Sequence, residues 1–182
     1  MAERLNYTIQ TLGALDDGLS TDAYLIEFAK VPGGGGTSYD MAVRCTNVPI
    51  PETTSEPIEA EIHGFKVLWR GRRRFGSNDW APQFIETKNG VISTAIRSWI
   101  EYCAGTDSGN SAGYKADYST MADVTIFDTT GKEALKYRFF NVWARGLDEQ
   151  ANDSASNEVM RYTAHFAYDY FTQIGTNAVA TR

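Results

Sequence analysis

Two histidines, two cysteines, a run of four glycines and a dense run of arginines are the residues whose types could do chemistry. His63 and His165 stand in no ligand-spaced motif, and zinc needs three or four ligands. Neither a metal nor a cofactor is expected, and both rings read as satisfied strand residues. Gly33 to Gly36, followed by Thr37-Ser38, has the look of a phosphate cradle. A P-loop, however, needs a lysine before the hydroxyl residue and a helix after it. Neither is read here, so the expectation is a mobile hairpin tip. The many carboxylates form no evident acid–base couple. Cys103 would act as a nucleophile only if the fold brought a histidine to it. It falls on an apolar helical stripe, so a buried, inert thiol is expected. Together these residues exclude every familiar catalytic constellation, and the chain reads as a non-enzyme.

Arg70-Gly71-Arg72-Arg73-Arg74 is the remaining charged feature. Three readings apply: a nucleic-acid contact, a solvated turn, or pairing with acidic loops of a neighbouring copy. The chain carries 17 Lys and Arg against 23 Asp and Glu, a formal charge of −6. Gripping phosphates needs a positive surface, so the acidic total disfavours the first reading. The third is preferred, with Glu52, Glu56, Asp148, Glu149 and Asp153 as candidate acidic partners.

The elements that must position these residues are mostly strands. The 182 residues suit one domain with a substantial core, and ten Tyr, nine Phe and four Trp favour β-structure. No secretory h-region is read in the first twenty residues, and no run is long enough to cross a bilayer. Residues 1–21 read as an N-terminal arm, 22–174 as the β domain and 175–182 as a loose tail. Asp22–Lys30 and Met41–Val48 alternate as strands and would form a hairpin across the glycines. The segment 49–57 holds three prolines and reads as a loop. Ile58–Trp69 reads as one strand bent at a Gly64 bulge, and Asp79–Glu86 as a strand interrupted or edged at Pro82. Gly90–Ala104 is an amphipathic helix, with Val91, Ile92, Ala95, Ile96, Trp99, Ile100 and Cys103 on one stripe. Asn89 is the expected N-cap and Gly105 the stop. Ser119–Phe127 and Glu133–Val142 flank an Asp128–Gly131 turn. Ala144–Asn157 reads as a loop, and Glu158–Gln173 as one long alternating strand. The fold class is therefore mainly β: a sandwich or barrel subunit with one flanking helix as its lid.

Gly64-Phe65-Lys66-Val67-Leu68-Trp69-Arg70-Gly71, then Phe75, Asp79-Trp80 and Ile96-Arg97-Ser98-Trp99-Ile100 before a Gly/Ser loop, resemble the tail tube proteins of contractile-tailed phages. The hairpin Val124–Gly131 leading to Tyr137–Trp143 resembles the same family. The likeness spans roughly residues 22–172 and includes the wider tube superfamily of type VI secretion.

That resemblance implies subunits that close a shared β-barrel into hexameric rings, stacked into a hollow tube. It implies a sheath protein outside, baseplate and neck or terminator proteins at the ends, and tape-measure protein and DNA in the lumen without sequence-specific binding. It places the protein in the virion, after assembly in the host cytoplasm, with no membrane. An acidic lumen would let DNA slide, and alternation offers Glu59, Glu61, His63, Asp123 and Thr125 as lumen-lining positions. Arg70, Arg72, Arg73, Arg74, Glu52 and Glu56 are the expected inter-subunit contacts. Cys45 and Cys103 are either reduced core residues or partners in a disulfide formed between subunits outside the cytosol. Two alternatives stand: the tube of a bacterial contractile injection system, of type VI or pyocin kind, and a monomeric ligand-binding β-barrel.

Overall fold

Alternating apolar residues build the first strand, β1 (Tyr24–Phe28), which buries Ile26 and Phe28. The computed structural model describes residues 22–33, 38–75, 78–105, 113–149 and 159–175. The N-terminal arm, Gly34 to Gly36 and most of the C-terminal tail lie outside the described residues. β1 pairs along its whole length with β9 (Thr120–Phe127), Tyr24 opposite Ile126 and Phe28 opposite Ala122. The expected turn joins β9 to β10 (Glu133–Glu149). Asp128 Oδ1 accepts from Thr130 N at 2.8 Å, Thr130 Oγ1 at 2.7 Å and Lys132 N at 3.0 Å.

β10 is the spine of the fold. Its first half lies between β9 and β12 (Tyr170–Gly175), and its second half pairs with β11 (Arg161–Ala167). It extends through Ala144–Glu149, where a loop was expected. Ala144 and Leu147 both meet the core, a three-residue step that a bulge at Arg145 permits. That bulge breaks the period-2 signal and hides the strand from sequence. A second break lies at Asn141, which has a φ of 55°. Phe139 is buried before it and Val142 after it, so the core-facing parity changes there. The facing strand breaks at the same level. Tyr168 and Phe171 are buried while Tyr170 is exposed, so the single strand expected over 158–173 is two, β11 and β12. Asp169 stitches this corner, accepting from Asn141 Nδ2 at 2.6 Å and from Lys115 Nζ at 2.6 and 2.7 Å.

The remaining strands are short. β7 (Asp79–Trp80) and β8 (Gln83–Ile85) flank an interruption at a buried Pro82, whose carbonyl accepts from Ala164 N at 3.0 Å. The main sheet is wholly antiparallel in the order β1-β9-β10-β11-β8-β2, where β2 is Cys45–Asn47, with β12 beside β10 and β7 beside β11. The expected strand Met41–Val48 is instead helix α1 (Ser38–Arg44) followed by β2 (Cys45–Asn47). Met41, Val43 and Cys45 fit alternation, but only Met41 is fully buried. Ser38 Oγ holds the helix start to β1, donating to Phe28 O at 2.7 Å and accepting from Phe28 N at 3.1 Å. β2 then pairs with β8, so the hairpin expected across the glycines does not form. A Cβ at Gly33 would lie 2.6 Å from Ser98 O, so glycine is required there for close approach to the main helix.

That helix, α2 (Val91–Ala104), buries Ile92, Ala95, Ile96 and Trp99, as expected. Its cap differs from the Asn89 reading. Glu86 reaches across, accepting from Ile92 N at 3.0 Å and Ser93 N at 2.9 Å, and Thr87 Oγ1 accepts from Val91 N at 2.8 Å. A further short helix, α3 (Lys115–Tyr118), receives Trp99 Nε1 on Tyr118 O at 2.8 Å. The core is aromatic: Trp80 stacks on Phe139 at 4.4 Å, and Phe28 meets Trp99 edge-on at 5.8 Å.

Lys115 holds the Asp169 carboxyl below its ordinary range, with Asn141 adding to the effect and partial burial opposing it. Replacing Asp169 by Ala is expected to cost about 1–2 kcal/mol in chemical denaturation at neutral pH. The wild-type advantage is full above about pH 4 and shrinks as pH falls through the lowered value.

Candidate assembly surface

Residues 54–74 stand outside the main sheet. Among the described residues, β4 (Ile58–Ile62) and β5 (Phe65–Trp69) pair only with each other, and β3 (Thr54–Ser55) pairs only with β6 (Arg73–Arg74). Ile58–Trp69 is therefore a hairpin, where one bent strand was expected. His63 and Gly64 have φ of 52° and 80°, the left-handed pair that a two-residue turn needs. Gly64 turns the chain and does not bulge a strand.

Register sorts the hairpin into two faces. Ile58 opposes Trp69, Ala60 opposes Val67 and Ile62 opposes Phe65, so six apolar side chains share one face. Glu59 opposes Leu68 and Glu61 opposes Lys66 on the other. None of these residues is buried, and Phe65 is 75% exposed, Ile58 56% and Trp69 49%. A contiguous apolar face of this kind is characteristic of a surface that another molecule covers.

The arginine run forms the base of this hairpin. Arg74 Nη2 lies 2.7 Å from Glu56 Oε2, and the Arg73 guanidinium lies over the Phe75 ring at 5.0 Å. Two residues expected to pair between copies, Arg74 and Glu56, thus pair within one chain. The bridge is solvent-exposed and worth little by itself. Arg70, Arg72 and Glu52 are exposed.

The positions read as lumen-lining fall on two different sheets of the subunit. Glu59, Glu61 and His63 belong to the outer hairpin, with Glu59 bridged to Lys66 at 2.7 Å. Asp123 and Thr125 lie on β9, and Thr125 is only 2% exposed. Asp123 accepts from Arg138 at 2.7 and 2.8 Å, and Lys136 lies 3.2 Å away. Arg138 chiefly, with Lys136, holds the Asp123 carboxyl below its ordinary range against partial burial.

His165, expected to be a strand residue with a satisfied ring, lies on β11 with both nitrogens occupied. Its Nδ1 lies 3.2 Å from Asp79 Oδ2 and its Nε2 lies 2.9 Å from Asp148 Oδ2. Both nitrogens face carboxylates, so neither is free to activate a nucleophile. Only the register of β7, β11 and β10 brings these three residues together, and no spacing in the chain announces it.

Cys45 and Cys103 are free, partly buried and packed on the core. Burial pushes the Cys45 thiol up to about 12 and the Cys103 thiol up to about 11. At neutral pH the thiolate of each is scarce, which slows oxidation. In the folded monomer, both thiols are expected to react with a disulfide reagent roughly 100-fold or more slowly than in denaturant, where their pKa values are ordinary. Equal rates in the two states would contradict this.

A family model described as phage tail tube protein matches residues 20–174. No curated protein sequence matches. The sheath/tube terminator of an extracellular contractile injection system, in its extended state, is similar in fold. Its TM-score is 0.66 at 10% identity, over 89% of this chain and 100% of that one. The tube-terminating cap of the anti-feeding prophage gives 0.63 at 14% identity, over 90% and 95%. A chain of an extracellular sheath–tube complex gives 0.59 at 10% identity, over 93% and 100%. At these identities the likeness is one of fold.

Proposed function

The chain belongs to the phage tail tube protein family, and on that premise we propose that its copies close into hexameric rings that stack as the inner tube of a contractile phage tail. The tube conducts DNA during ejection. Its outer wall meets the tail sheath, and its ends meet baseplate and neck or terminator proteins. Tape-measure protein and then DNA occupy the lumen without sequence-specific contact. Assembly takes place in the host cytoplasm, and the finished protein resides in the virion.

The uncovered apolar face of the outer hairpin carries this reading. Six apolar side chains on a strand pair that shares no ladder with the core are a cost in water that a neighbouring copy removes. Open edges add to it: among the described residues, β1 pairs only with β9 and β12 only with β10, and closure into a ring would pair such edges. The net negative charge, with Arg138 and Lys136 both engaged by Asp123, suits a wall to which phosphates do not adhere. The likeness to extracellular injection-system tube components favours a second reading, the tube of a bacterial contractile injection system. A ligand-binding barrel fits less well, because Trp80, Trp99, Phe84, Phe139 and Phe166 fill the interior.

Electron microscopy of the purified protein is expected to show rings or tubes. Replacing Phe65 by Asp should abolish them while leaving monomer stability within about 0.5 kcal/mol, since the side chain touches no core residue. Tubes formed by the variant as readily as by the wild type would overturn the role given to the hairpin.

A further inference from the structure

The outer hairpin rejoins the main sheet at Phe75, Asn78 and Asp79, and this root is fastened by hydrogen bonds. Tyr168 Oη donates to Phe75 O at 2.7 Å, Asn78 Nδ2 to Tyr168 O at 2.9 Å, and Trp80 Nε1 to Pro49 O at 2.9 Å. None of those donors changes charge between pH 6 and 9. The fourth fastening does: His165 on β11 bridges Asp79 at the root to Asp148 near the end of β10.

We propose that protonated His165 is a clip that fixes the root of the outer hairpin to the main sheet, and that loss of the proton loosens the root and weakens association of copies through the hairpin. The second half of this inference rests on the assembly reading above. Imidazolium donates from both nitrogens and satisfies both carboxylates. The neutral ring donates from one nitrogen only, so one aspartate loses its bond. Asp79 is poorly placed to lose it, because its Oδ1 is already buried with no hydrogen-bond partner.

The surroundings of the ring favour the charged form. β7 contributes Asp79. β10 contributes Asp148, and Gly146 lies directly opposite His165 in the ladder. β8 brings the neutral Gln83 to this face, opposite Thr163. The only charge of β11 itself, Arg161, is four residues away along the strand. Tyr168 lies near Asp79, which together with burial raises its phenol and keeps it neutral. Burial alone would lower the His165 value, but the bonds to Asp148 and Asp79 and their charges outweigh it and raise it above the ordinary 6.5. The clip is therefore complete below about pH 6.5 and is lost as pH rises through the raised value. His63, the only other histidine, sits exposed at the hairpin turn and makes a clean control.

Hydrogen exchange of the full chain, followed by mass spectrometry from pH 6 to 9 and corrected for intrinsic rates, tests the clip. Protection of the segments around Asp79 and Asp148 is expected to fall several-fold with rising pH in the wild type and in His63→Asn. His165→Arg, which keeps two donors and a charge, should stay protected throughout, and His165→Asn should be loose throughout. Flat wild-type protection, or a His165→Arg response like the wild type's, overturns the clip whether or not tubes form. Tube yield against pH, scored by electron microscopy on the same samples, tests the coupling. A fall in parallel with protection supports it, and constant yield over a loosened root overturns it. A pH-dependent root with no tubes at any pH would leave the clip standing and sink the assembly reading.

Discussion

A β-strand shows its side chains to two faces in turn, so one strand can serve two layers of a core only if something breaks the alternation. β10 does this at Asn141, where a left-handed residue changes which side chains face inward. The break is matched across the ladder at Asp169, and one carboxylate ties both strands and Lys115 together. Phe139 and Phe171 are buried before the corner, Val142 and Tyr168 after it. The aromatic core around Trp80, Trp99 and Phe166 is enclosed because the sheet turns there. Without that corner, half of β10 would show its apolar side chains to water.

The outer hairpin contrasts with this closed core. Its strands have the same alternation, yet among the described residues no second layer covers their apolar face. The hairpin is held at its root by Tyr168, Asn78, Trp80 and His165, and beyond the root, among the described residues, its strands pair only with one another. On the proposed function, a subunit whose core is closed but whose hairpin is bare is completed by other copies. Membership of the tail tube family gives that incompleteness a use.

Legibility in the sequence followed periodicity. Helix α2, strand β1 and the Asp128 turn carry strong local signals, and each stands where the spacing of residues placed it. Strand β10 beyond Val142 is hidden because the bulge at Arg145 breaks period-2 alternation, and the division of β11 from β12 is hidden because Tyr168 and Tyr170 continue the alternation in sequence although only Tyr168 is buried. α1 reads as a strand from sequence because Met41, Val43 and Cys45 alternate over a short run, whereas in the structure Met41 is buried and Val43 exposed on opposite sides of one helical turn. Gly64 reads as a bulge from sequence, whereas His63 and Gly64 together adopt the left-handed conformation of a turn. The Asp79–His165–Asp148 bridge could not be read at all: its members are far apart in sequence, and only the sheet register joins them.

On the proposed function, a second copy covers the apolar face of the outer hairpin. Hydroxyl-radical footprinting of Phe65 and Trp69, in assembled material and in monomer, measures that cover directly. Strong oxidation of both residues in the monomer and clear protection in the assembly are expected. Equal oxidation of Phe65 and Trp69 in the two states would contradict it.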